Sequence, residues 1–233
     1  MKDIWFLINF LKENSNIDKI RYIEENKDLQ FLALKKLYEN KKFSNENYLY
    51  LILANSLVCY QLSGKWEQYW EEFSNMALQY FNNDFWKIDI IWFFEFLFKN
   101  WKYNKRFVSN KLKRINKFLS FYEDFFSNAK QFYYDMKKLN KIISQIMNQK
   151  ENSKTIVFSI KMFGYGGRLV YKKFISYPMD IYIPIDSRLT KLYEIYWKDF
   201  EDINQFYKFL LQQIQVPPLH LDSILWVNFD YLI

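Results

Sequence analysis

Apolar residues recur every three to four positions along almost the whole chain, which is the spacing of helices that bury one face. The pattern predicts helices over 3–13, 17–25, 27–40, 45–62, 66–82, 86–100, 106–125, 128–148, 154–163, 187–197, 202–214 and 218–229, parted by Asn-rich or Gly-rich breaks. The regularity fails over 164–185, which holds Gly164, Gly166, Gly167, Pro178 and Pro184 and is expected to be irregular. Within it, DIYIPI (Asp180–Ile185) is too short and too broken by proline for a central strand. Neither an internal repeat nor a linker long enough to separate independent domains is visible. The expected fold class is therefore all-α, with one domain over 1–233.

Composition sharpens this. The chain has 233 residues, enough for one sizeable domain or two small lobes sharing a core. Half the residues are apolar and 22% aromatic, with only four glycines and four prolines, so long helices with short connections are favoured. The single cysteine, Cys59, excludes an internal disulfide. With only His220 beside it, a Cys/His zinc or iron–sulfur site is also disfavoured. The opening MKDIWFLINFLKEN is interrupted by Asn9 and closes with charge, unlike a secretory leader. The longest charge-free run, Asn47–Gly64, carries Asn47, Asn55, Ser56, Gln61 and Ser63, which suits a buried helix rather than a membrane span. The expectation is a soluble, cytoplasmic protein.

Charge is unevenly placed. Between Phe96 and Tyr122 stand Lys99, Lys102, Lys105, Arg106, Lys111, Lys113, Arg114 and Lys117, with no acidic residue. The formal net charge is +7, so the remainder of the chain is close to neutral. A concentrated basic stretch favours a polyanionic partner, although a solvated helix face would look the same.

Three stretches carry candidate chemistry. In KTIVFSIKMFGYGGRL, Lys154, Phe158 and Lys161 fall four and then three residues apart and share one helix face. A lone lysine at a helix start simply extends its amine to water. Two lysines on one apolar face are less ordinary, because desolvation and a like charge both favour the neutral amine. A neutral amine can form a Schiff base with a sugar carbon. The preceding IISQIMNQKENSK reads as helix, short polar hairpin, helix, an arrangement that can offer backbone N–H groups to a phosphate. In IPIDSRLTKLYEIYW, Asp186 follows Pro184 and precedes a periodic helix, the position of an N-cap. A capping aspartate is held rigid and ionised, so capping and catalysis are compatible. In VPPLHLDSILW, Pro217 and Pro218 open a helix on which Asp222 and Trp226 share a face. An indole beside a carboxylate suits a flat polar ligand; as ordinary core residues they need none. His220 reads as structural rather than as a general base.

Together, NSLVCYQLSGKWEQYWEEF (Asn55–Phe73), KTIVFSIKMFGY with MDIYIPIDSRLTKLY (Lys154–Tyr193) and VPPLHLDSILW (Val216–Trp226) resemble the archaeal GO glycosylases. These are 8-oxoguanine DNA glycosylase/lyases of the helix–hairpin–helix superfamily. The similarity covers most of the chain, more weakly over 1–45 and 85–150. It implies two helical lobes around a central cleft, with the helix–hairpin–helix element near 138–163. It also implies that Lys154 is the Schiff-base lysine and Asp186 the catalytic aspartate. Phe158, Lys161, Asp222, Trp226 and Trp70 match positions lining the pocket for a flipped base, and Gln30 matches a glutamine that reads it. The hairpin NQKENS lacks the glycine-rich sequence of the wider superfamily, and GYGG departs from the family's local residues.

The activity implied is excision of 8-oxoguanine from duplex DNA, followed by β-elimination with no metal or redox cofactor needed, by a monomer acting at the nucleoid, with single-stranded DNA left open as a substrate. Lys105, Arg106, Lys111, Arg114 and Arg168 would hold phosphates, joined by Lys172 and Lys173. Other readings remain open at this level: a non-catalytic helical nucleic-acid binder, a helical scaffold or membrane-surface protein, or a glycosylase for a different damaged base.

Overall fold

The described residues of this computed structural model are 3–196 and 202–233, and their regular structure is helical throughout. In chain order the helices are α1 (Ile4–Asn14), α2 (Ile17–Asn26), α3 (Leu29–Asn40), α4 (Asn45–Val58), α5 (Trp66–Tyr80), α6 (Lys87–Asn100), α7 (Val108–Phe118), α8 (Tyr122–Tyr134), α9 (Met136–Met147), α10 (Lys154–Tyr171), α11 (Ser187–Tyr196), α12 (Ile203–Ile214), α13 (Pro218–Val227) and α14 (Phe229–Leu232), with a 3-10 turn at Leu119–Phe121. The last residue of the helix predicted over 187–197, Trp197, lies outside the described residues. The chain forms two compact units: Met1–Asp28 with Ser176–Ile233, and Leu29–Ile175.

The larger unit is built on α4, whose residues Asn47 to Val58 are all buried. This accounts for a run with no charge and little amphipathic contrast, since a helix surrounded on every side has no polar face. Its two tyrosines find partners: Tyr48 Oη donates to the Leu34 carbonyl at 2.9 Å, and Tyr50 Oη to the Phe118 carbonyl at 2.8 Å. α4 packs along α10 and also meets α7 and α8.

The structure departs from the predicted elements in four places. First, α10 does not stop at residue 163 but runs to Tyr171, so Gly164, Gly166 and Gly167 are buried helical residues. A Cβ at Gly166 would stand 2.7 Å from Ile52 Cδ1, and one at Gly167 would fall on the Tyr133 ring. These glycines therefore let α4 and α8 approach α10 closely; they do not break it. Second, the spans predicted over 106–125 and 128–148 are divided differently. The chain turns through the 3-10 segment, and a new helix starts at Met136 because Asp135 leaves helical geometry and accepts from Lys138 N at 3.0 Å. Third, α4 ends at Val58 rather than near 62, and the chain then passes through Gln61 at φ 51°. Fourth, Asn228 interrupts the C-terminal helix, separating α13 from α14.

In the smaller unit, α13 packs on α2 through a fully buried pair, with His220 Nδ1 2.8 Å from Glu24 Oε1. The other ring nitrogen lies 3.2 Å from Ser176 Oγ and accepts from Tyr177 N–H at 3.4 Å. The imidazole thus ties the start of segment 176–185 to two helices. That segment is not a strand; it leads to Asp186 at the head of α11.

Candidate active site

Within the larger unit, α9 ends on Asn148 in the left-handed conformation, a short turn follows, and Lys154 is the first residue of α10. Helix, hairpin and helix thus occupy consecutive positions. Lys154 is exposed, so the expected desolvation of its amine is not supplied by burial in the protein alone. Its Nζ lies 5.9 Å from the Trp66 ring centroid. One turn on, Phe158 meets the edge of Trp66 at 5.3 Å and approaches Trp70 at 6.2 Å. Lys161 is 1% exposed, with Nζ 5.7 Å from the Tyr165 ring. The two lysines of the apolar face therefore have opposite settings, one at the surface and one inside.

Trp70 is fully buried on α5, and its indole N–H has no hydrogen-bond acceptor among the described residues. Gln30, near the start of α3, is 2% exposed, and α3 packs against both α5 and α10. Sequence reasoning missed Trp66, the residue nearest the Lys154 amine among these rings. The signal was its position four residues before Trp70 on an amphipathic helix.

In the smaller unit, Asp186 caps α11. Its Oδ1 accepts from Arg188 N and Leu189 N, both at 3.0 Å, and its carbonyl accepts from Thr190 Oγ1 at 2.8 Å. Asp222 is buried on α13, one turn before Trp226. Asp186 and Asp222 share a neighbourhood. Burial drives the Tyr207 phenol far above its usual range, and both carboxylates push it further in the same direction. The Arg188 guanidinium lies 4.0 Å from the centre of the Trp226 ring. Arg188 is a second residue that sequence reasoning passed over, although it stands two positions from Asp186.

The basic residues divide. Lys105 and Arg106 are exposed, as are Lys99, Lys102, Lys113 and Lys117. Lys111, expected among the phosphate contacts, is fully buried and donates to Asn104 Oδ1, with its amine 4.7 Å from the Tyr60 ring. It is drawn inward because α7 turns its apolar face, with Ile115 and Phe118, to the core, and position 111 falls on that face. Arg168 is likewise buried, stacked 4.2 Å from the Phe174 ring centre. Arg114 is half-buried, donating to the Leu57 carbonyl at 2.8 Å and to Thr155 Oγ1 at 3.1 Å. These three cations serve the fold's interior or its joints rather than an open surface. Among the described residues no group of three or more His, Cys, Asp or Glu is placed to hold a metal ion, and no helix is long and apolar enough to cross a membrane.

Residues 9–232 match the family model for AGOG, described as N-glycosylase/DNA lyase. The chain belongs to this family. The N-glycosylase/DNA lyase of Nanoarchaeum equitans is 40% identical over 225 residues, covering 96% of this chain and 89% of that protein. That of Thermococcus kodakarensis is 37% identical over 222 residues, covering 94% and 81%. The fold resembles the crystal structure of Pa-AGOG, the 8-oxoguanine DNA glycosylase of Pyrobaculum aerophilum complexed with 8-oxoguanosine, with a TM-score of 0.76 at 22% identity over 97% of this chain and 88% of the other. The AGOG protein described here is thus an N-glycosylase/DNA lyase with an all-helical fold.

Proposed function

We propose that this AGOG protein removes 8-oxoguanine from DNA and then nicks the strand, with Lys154 as the nucleophile. The observation that carries the reading is the setting of Lys154: an exposed lysine on the first residue of the helix after the hairpin, with Trp66 against its amine and Phe158 one turn beyond. The Pyrobaculum protein's 8-oxoguanosine complex supports the choice of base.

A C1′ atom inside a duplex is out of reach, so the nucleotide is flipped out at a cost of a few kcal/mol. The unprotonated Nζ of Lys154 bonds to C1′ as the bond from C1′ to the base nitrogen breaks, and the electron pair leaves with the base, which takes up a proton. Asp186, held by two backbone amides, faces the positive charge developing on the sugar and receives the proton shed by the lysine. Sugar ring opening leaves a Schiff base. Loss of a C2′ proton then expels the 3′ phosphate, which is β-elimination.

Recognition is assigned to Gln30, Trp70, Phe158, Lys161, Asp222 and Trp226. Stacking on an indole contributes about 1–3 kcal/mol. Arg188 covers one face of Trp226, and the purine is assigned to the opposite face. Guanine N7 accepts a hydrogen bond, whereas in 8-oxoguanine N7 carries a hydrogen. A buried acceptor aimed there, such as the Gln30 side-chain carbonyl, penalises guanine by about 1–3 kcal/mol.

The test is borohydride trapping on an 8-oxoguanine duplex. The wild type is expected to give a covalent adduct that disappears in Lys154→Gln. An adduct surviving that substitution overturns the nucleophile. Trapping on another lesion but not on 8-oxoguanine overturns the substrate.

A further inference from the structure

Flipping leaves a gap in the base stack, and apolar side chains are suited to fill such gaps. Phe107 is the last residue of the connection between α6 and α7, at the N-cap position of α7, with 57% of its surface exposed. Its backbone is left-handed, φ 57° and ψ 35°, a conformation a phenylalanine adopts only when its surroundings impose it. Lys102, Lys105 and Arg106 precede it, all exposed. An exposed ring among phosphate-seeking cations has no use for the protein's own core.

This end of the connection is rigidly mounted. On one side Trp101 is fully buried and stacked on Tyr69 at 4.4 Å. Next, Asn104 is fully buried, donating to the Val58 carbonyl at 3.2 Å and accepting from Lys111. On the other side the Phe107 carbonyl accepts from Lys111 N at 3.0 Å. The buried Lys111 thus closes a ring from Asn104 to the first turn of α7 and holds Phe107 outward.

The same loop is joined to the surroundings of Lys154. Ser63 N donates to the Tyr103 carbonyl at 2.9 Å, and Gly64 has no side chain because the Tyr103 ring occupies that space. Two residues later comes Trp66, the ring beside Lys154. Farther along α7, Arg114 bonds Thr155, the neighbour of Lys154.

We propose that Phe107 inserts into the duplex at the lesion and occupies the space vacated by the flipped nucleotide. The proposal rests on the excision reading and adds a residue to it. The ring acts on the stack rather than on the reacting atoms, so its loss is felt only where a stack exists. The experiment is single-turnover base release by wild type, Phe107→Ala and Phe107→Leu, on an 8-oxoguanine duplex and on the same strand alone. The duplex rate of Phe107→Ala is expected to fall about tenfold or more, with single-strand release within about twofold of wild type and substantial recovery in Phe107→Leu. 2-Aminopurine beside the lesion should show a matching loss of fluorescence rise. Equal slowing on both substrates, or an unaffected duplex rate, would overturn the insertion while leaving wild-type excision intact. Absence of release by the wild type from either substrate would overturn the excision reading and the insertion together.

Discussion

At the scale of single residues, the proposed mechanism gives one carboxylate two separable duties. Asp186 caps α11 through Oδ1, and asparagine caps a helix about as well as aspartate. Asp186→Asn is therefore expected to keep its melting temperature and DNA affinity while base release slows by about two orders of magnitude or more. Asp186→Ala should add a stability loss of about 1 kcal/mol, measurable by denaturant unfolding. Normal release by Asp186→Asn, or a melting loss equal to that of Asp186→Ala, would mean that capping is its whole role. Lys154 illustrates the same economy: it opens a helix and presents an amine, and neither requires it to be buried.

Among the elements, α10 carries the lysine while its far half packs into the unit, so its glycines matter to stability more than to chemistry. Gly167→Ala would drive a methyl into the Tyr133 ring, an overpacking cost of about 1–3 kcal/mol. Thermal unfolding should show the drop, and an unchanged transition would refute the close approach. α7 makes a second prediction through Lys111. Burial pulls its amine down to about 8, below the value it takes in an unfolded chain. Between roughly pH 8 and 10 the unfolded chain binds more protons at this site than the native protein, so this contribution raises stability as pH increases. Lys111→Met lacks it. The wild-type melting temperature should climb relative to that of the variant across this window; parallel pH profiles would show that Lys111 titrates normally.

Over the whole molecule, net positive charge favours DNA, but the number of cations at the surface sets its salt dependence. The double variant Lys105→Ala/Arg106→Ala should bind duplex more weakly and flatten the plot of log affinity against log salt by about 2. Lys111→Met should leave that slope unchanged, since its amine is already spent on Asn104. Equal slopes in wild type and double variant would place the phosphate contacts elsewhere. The helical class, most helix starts, the hairpin before Lys154 and the cap at Asp186 were all legible in the sequence. Periodicity and capping depend on residues within about four positions of one another. Only the tertiary structure decided that Gly164–Gly167 continue a helix, that Lys111 and Arg168 turn inward, that Trp66 lies beside Lys154, and that Arg188 lies over Trp226. Each of these depends on partners far away in sequence, and a local pattern holds no record of which surface a residue will meet.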